Sequence, residues 1–202
     1  MPMKFITDAG ERNKMYLDFI SESLTDPENI PVNIEAISYL PAAYFPYNRV
    51  KEGWKWMQYI LDTYQKPHAI LKGGSNGDYP EVSYVVISNV IRNLMGVEAD
   101  IPAGKFRSVS RLPEEIAFLE IRNIPVGDHF ISCRHDGVHK STLTHEVGKE
   151  PISCDVRFYG NHDYLLVNGK KQKSTITSLN GEMISEVTIS LKNGETVSVE
   201  LL

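Results

Sequence analysis

The spacing of apolar and polar positions changes once along this 202-residue chain, near residue 100. Before that point apolar residues recur three and four positions apart, the spacing of a helix face. In "ERNKMYLDFISESL", Tyr16, Phe19, Ile20 and Leu24 mark one such face. In "VKEGWKWMQYILDTYQK", Val50, Trp54, Met57, Leu61 and Tyr64 mark another. Between them, "NIEAISYLPAAYF" is short and apolar. Asn33 is placed to cap a helix there, and Pro41 to kink it or end it early. A fourth segment, Glu81 to Met95, is apolar almost all round and stops at Gly96. Its valines and isoleucines would suit a strand, but its length predicts a helix.

After residue 100 the period becomes two. "FLEIRNI", "HFISCRHD", "KSTLTHEV", "ISCDVRFYG", "DYLLVNG", "MISEVTISL" and "ETVSVELL" alternate or run β-branched. Asp136-Gly137, Asn168-Gly169, Asn180-Gly181 and Asn193-Gly194 separate them as hairpin turns. Short strands at this spacing predict an antiparallel β-sandwich. "VEADIPAGKFRSVSRLPEE" reads as the linker, with room for a further strand. The expected fold is therefore α+β in two parts, helical hairpins over residues 1–98 and a C-terminal sandwich over 99–202.

The helical part raises a packing problem. Segments 11–24 and 50–66 are amphipathic, whereas 34–44 and 81–95 are apolar on most sides. A helix of the second kind needs neighbours all round, more than two hairpins supply. The helical half is thus expected to be incomplete, or to pack on the sandwich or on a second chain as a homo-oligomer.

Charge narrows the partners. The net charge is −5 with no basic run, which excludes sequence-independent nucleic-acid binding and disfavours an anionic membrane surface. No apolar stretch reaches the roughly 18 positions of a membrane span. The start "MPMKFITDAGERNK" lacks the apolar core of a secretory signal. The chain as given therefore reads as cytoplasmic, or as periplasmic or secreted if it is a piece of a longer exported enzyme. Cys133 and Cys154 fall in separate β-like segments without metal-ligand spacing. A disulfide is open to them, but two buried thiols are the simpler reading.

The ordered set "GDYPEVSYVVISNVIRNLMGVEADIP" and "RLPEEIAFLEIRNIPVGDHFISCRHDG" resembles the C-terminal region of bacterial six-hairpin glycosidases. These are (α/α)6-toroid carbohydrate enzymes of glucoamylase-like, debranching-like and α-rhamnosidase-like kinds. The resemblance spans roughly residues 30–150 and implies a toroid followed by a β-sandwich. A whole toroid has twelve helices and about four are expected here, so it implies the C-terminal third of such an enzyme. Glycosidic hydrolysis would proceed with inversion in the intact protein, and the isolated chain would be inactive or incomplete.

The same resemblance places a sugar funnel at the N-terminal ends of the inner helices. Two connections then face it, "TDPENIPVNIE" and "KPHAILKGGSNGDYPE", each ending in a carboxylate at a helix start, Glu35 and Glu81. Such hydrolysis uses one carboxylic acid on the leaving oxygen and one carboxylate on water. Asp78, Tyr79, His68 and Asn76 are the candidate substrate ligands beside them. Tyr44, Tyr47, Trp54 and Trp56 could also stack on a pyranose, although packing explains most of them better. A structural explanation competes at Glu81: Asp78-x-x-Glu81 fits a capping box, with Pro80 in the first turn. A negative charge there suits the helix dipole, and favours a base or hydrogen-bond acceptor over an acid.

In the sandwich, "CRHDGVHKSTLTHE" brings His135, His139 and His145 together in sequence, with Asp136 and Glu146 nearby. Turn polarity and exposed strand faces explain these residues more simply than a metal, and neither metal nor cofactor is expected. The alternative to a hydrolase fragment is a non-catalytic carbohydrate-binding or protein-interaction module.

Overall fold

The computed structural model describes residues 10–69 and 73–202. They form a mixed helix-and-sheet protein of two compact units divided between Asn93 and Leu94.

In the helical unit, α1 spans Glu11–Ser23, α2 Ile34–Ser38, α3 Leu40–Tyr44, α4 Val50–Thr63 and α5 Pro80–Ser88, with a π-helical turn over Asn89–Leu94. Asn33 caps α2, its side-chain oxygen accepting from the Glu35 amide at 2.9 Å. Pro41 stands in the first turn of α3, where its missing N–H costs nothing, and the apolar run breaks into two short helices there. The buried faces differ from the predicted ones. On α1, Asn13 and Leu17 are buried, with Ile20 and Leu24 against the core or partly buried, while Tyr16 and Phe19 face solvent. On α4 the buried set is Gly53, Trp56, Met57, Ile60 and Thr63, and Leu61 is exposed. Gly53 explains that rotation: a Cβ there would lie 2.9 Å from the Phe45 ring, so the helix turns its bare backbone to Phe45 and carries Trp56 and Ile60 inward. The core gathers Leu17, Ile37, Tyr44, Trp56, Ile60 and Val82. Tyr44 reaches the Ser21 hydroxyl at 3.0 Å, and burial raises its phenol above the ordinary value.

The β unit holds two sheets. One orders β1 (Glu98–Asp100), β2 (Lys105–Val109), β6 (Ile152–Tyr159), β10 (Glu182–Leu191) and β9 (Thr175–Leu179). The other orders β3 (Phe118–Val126), β4 (His129–Asp136), β5 (Lys140–Val147), β11 (Thr196–Leu201), β7 (Tyr164–Val167) and β8 (Lys170–Lys173). The expected antiparallel pairing holds except at β2 and β6, which run parallel. The parallel pair arises because the predicted linker supplies β1 and β2. The chain then builds β3, β4 and β5 in the other sheet before returning as β6. Asn168-Gly169 and Asn180-Gly181 adopt positive φ at both positions, the conformation that two-residue hairpins require.

Inward side chains of the sheets share one core, including Phe106, Cys154, Val156 and Val187 from the first and Ile131, Cys133, Leu143 and Val199 from the second. Cys133 and Cys154 are free, and burial pushes each thiol up to about 12. On the opposite face of the first sheet lies a ladder of charge. Asp155 meets Lys105 at 2.8 Å and the Thr188 hydroxyl at 2.7 Å, and Arg157 meets Glu186 at 2.6 Å. Burial opposes ionisation of Asp155, but these partners outweigh it and hold the carboxyl below its usual range.

Candidate functional site

The connection between α4 and α5 returns on itself. The backbone of Asn76 donates to the Lys66 carbonyl and that of Gly77 to the Tyr64 carbonyl, both at 2.9 Å. Asn76 is buried and its side chain donates to the Thr63 carbonyl at 2.8 Å, so its amide locks the loop to the end of α4. His68, also buried, lies between two other sequence candidates. Its Nε2 is 3.2 Å from the Glu35 carboxylate, and its ring packs on Tyr79 with centroids 3.9 Å apart. Tyr79 also donates to the Gly73 carbonyl at 3.3 Å. Glu35, His68 and Tyr79 therefore form one stack joining the start of α2 to the loop before α5. One face of the Tyr79 ring is occupied by His68, which leaves less of it for a sugar.

Asp78 and Glu81 part company. Asp78 ends a single 3-10 turn over Asn76–Asp78 that Ser75 caps, and reaches back to accept from the Ser75 amide at 2.6 Å and the Ser75 hydroxyl at 3.0 Å. Those two bonds hold its carboxyl below the ordinary value. The capping box expected between Asp78 and Glu81 is formed instead between Ser75 and Asp78. The N-cap of α5 is Tyr79, with no side-chain cap. Glu81 stands exposed in the first helical turn and makes no hydrogen bond or ion pair among the described residues.

A cavity of about 160 Å³ opens beside this stack, lined by Val32, Ile37, Tyr59, Thr63, Lys66 and Asn76. Ligand pockets usually hold about 300–1,000 Å³, so this dimple alone is too small for a pyranose chain. Of the aromatic residues considered from the sequence, Tyr44 and Trp56 are buried in the helical core.

His139 is exposed at the β4–β5 turn, but His135 and His145 do not lie on exposed faces as the sequence suggests. His135 and His145 are 0% exposed. His135 Nε2 donates to the Met95 carbonyl at 3.0 Å and its Nδ1 accepts from Ser141 at 2.8 Å. Both nitrogens are committed, and burial pulls the imidazole down to about 4. His145 is paired with His129, a residue that sequence spacing does not single out. Their facing nitrogens are 3.1 Å apart. The turn before His129 and the register shift in the β4–β5 pairing bring the two together, and neither is visible as periodicity. No three His, Cys, Asp or Glu side chains gather in a metal-holding arrangement among the described residues. No helix among them is long and apolar enough to cross a membrane.

Neither a comparison with protein-family models nor one with curated proteins finds a match for the chain.

Proposed function

We propose that this chain is the C-terminal part of an inverting glycoside hydrolase, its helical unit forming one portion of a six-hairpin toroid. In that reading Glu81 faces the sugar as general base or hydroxyl ligand, with Asp78 and Tyr79 beside it. The observation that supports it is the idleness of Glu81. The capping box that would give it a structural task does not form: Asp78 pairs with Ser75 on the preceding turn, and α5 has no side-chain cap. A carboxylate at a helix N-terminus that the fold leaves unengaged is free for a ligand. Glu35 supports a different role: its contact with His68 ties two loops together, which suits holding the site in shape.

The second catalytic carboxyl that inversion needs would come from the missing helices. Tyr84 and Ile87 of α5 are 63% and 61% exposed, and Met15 and Phe19 of α1 are exposed as well. Those apolar surfaces favour further helices beside them in the intact protein.

The test is Glu81→Gln in the longer parent enzyme, which removes the charge and keeps the shape. Turnover of an aryl glycoside should fall by about a hundredfold or more, with the melting temperature unchanged. Near-normal turnover would remove Glu81 from the chemistry. The isolated chain should show no hydrolysis of any aryl glycoside.

A further inference from the structure

At one end of the β unit, the turn before β4, the β5–β6 connection and the β10–β11 turn enclose an open pocket of about 600 Å³. It is lined by Asp128, His129, Val147, Gly148, Lys149, Glu150 and Asn193. Its size falls in the range of small-ligand sites.

The wall of this pocket is built from the core outward. His145 is fully buried, and its Nδ1 lies 3.1 Å from the Leu191 carbonyl. A carbonyl only accepts, so Nδ1 carries the proton and Nε2 is left as an acceptor. The 3.1 Å contact then requires His129 to donate from Nδ1. That fixes the tautomer of His129, whose ring lines the pocket, and leaves its Nε2 as an acceptor. Gly148 closes the arrangement. A Cβ at this position would lie 2.3 Å from both facing nitrogens, so only bare backbone fits over the imidazole pair.

The remaining polar side chains are unengaged. Asp128, Lys149, Glu150 and Asn193 make no hydrogen bond or ion pair among the described residues. The lining thus offers two carboxylate acceptors, an ammonium donor, an amide that does both, and the His129 acceptor. Two carboxylates and one ammonium give the rim a net charge of −1, which disfavours an anion, while the Lys149 ammonium needs an acceptor that a bare cation does not offer. A group that accepts from Lys149 or Asn193 while donating to Asp128, Glu150 or His129 satisfies it best. Hydroxyls do both at once.

We propose that this pocket binds a neutral saccharide through its adjacent hydroxyls, with His129, held by His145, as the central hydrogen-bonding group. The assignment does not depend on the helical unit having glycosidase chemistry.

The experiment is NMR titration of the full chain with neutral disaccharides (maltose, cellobiose, lactose and sucrose), and separately with acetate and with glycine. At least one disaccharide should shift the Gly148 amide and the His129 imidazole, saturating in the millimolar range. The double variant Asp128→Asn, Glu150→Gln should weaken that binding about tenfold or more without changing the melting temperature. The proposal is overturned if no disaccharide moves these resonances, or if acetate or glycine alone moves them. It is also overturned if the folded double variant binds as tightly as the original.

Discussion

His135 couples the β core to pH. Burial is the main cause of its depressed value of about 4, outweighing the Met95 carbonyl bond that favours the proton. An unfolded histidine titrates near 6.5, so between pH 6.5 and 4 the unfolded chain binds a proton that the native one refuses. Stability therefore falls as pH drops through that window, by about 3 kcal/mol from this residue alone. Urea unfolding at a series of pH values, followed by β-sheet circular dichroism, should show the slope, and a flat profile would contradict it. A second residue-scale prediction concerns Gly148. Gly148→Ala forces a methyl against two imidazole nitrogens, one in a ring that the core prevents from retreating. We expect a loss of about 1–3 kcal/mol and separation of the His129 and His145 imidazole signals. A stable variant with the pair unchanged would show that the loop yields instead.

The elements were more legible in the sequence than the faces they bury. Period-two alternation and Asn-Gly turns located most of the strands, because hairpin geometry is written locally. Asn33 and Pro41 marked their helix ends for the same reason. What period could not give was which stripe of α1 and α4 turns inward. Polar Asn13 is buried because its amide meets the Tyr47 hydroxyl at 3.0 Å, and Gly53 because Phe45 needs the space. Both are tertiary facts. The candidate site was legible as a set of residues but not as a division of labour. Nothing in Asp78-x-x-Glu81 reveals that Ser75 takes Asp78 first. Helix α5 carries the prediction at this scale. Its exposed Tyr84 and Ile87, with a run of valines beneath, should drive concentration-dependent self-association of the isolated chain. Light scattering should show a mass above the monomer at high concentration. Ile87→Glu should restore the monomer without lowering the melting temperature. A chain that stays strictly monomeric would count against an unpartnered face.

At the scale of the whole molecule, the boundary between the units is set by backbone groups that no pattern of side chains announces. The sequence changes character near residue 100, yet the chain just before it already serves the β unit. The Leu94 carbonyl accepts from the Arg111 amide at 2.9 Å, and the Met95 carbonyl accepts from buried His135. Leu94, Met95 and Val97 are themselves buried. A chain beginning at Asn89 keeps all of these contacts, whereas one beginning at Val97 removes both carbonyls. The second leaves the His135 Nε2–H without its partner inside the core. An unsatisfied buried donor costs about 1–3 kcal/mol, and the lost apolar burial of Leu94 and Met95 adds about 1.5–3 kcal/mol for each. The β unit has its own core, so the Asn89 chain should fold cooperatively by itself. The Val97 chain should unfold at markedly lower denaturant concentration. Equal midpoints for the two chains would show that the segment before β1 is a connector and not part of the β unit.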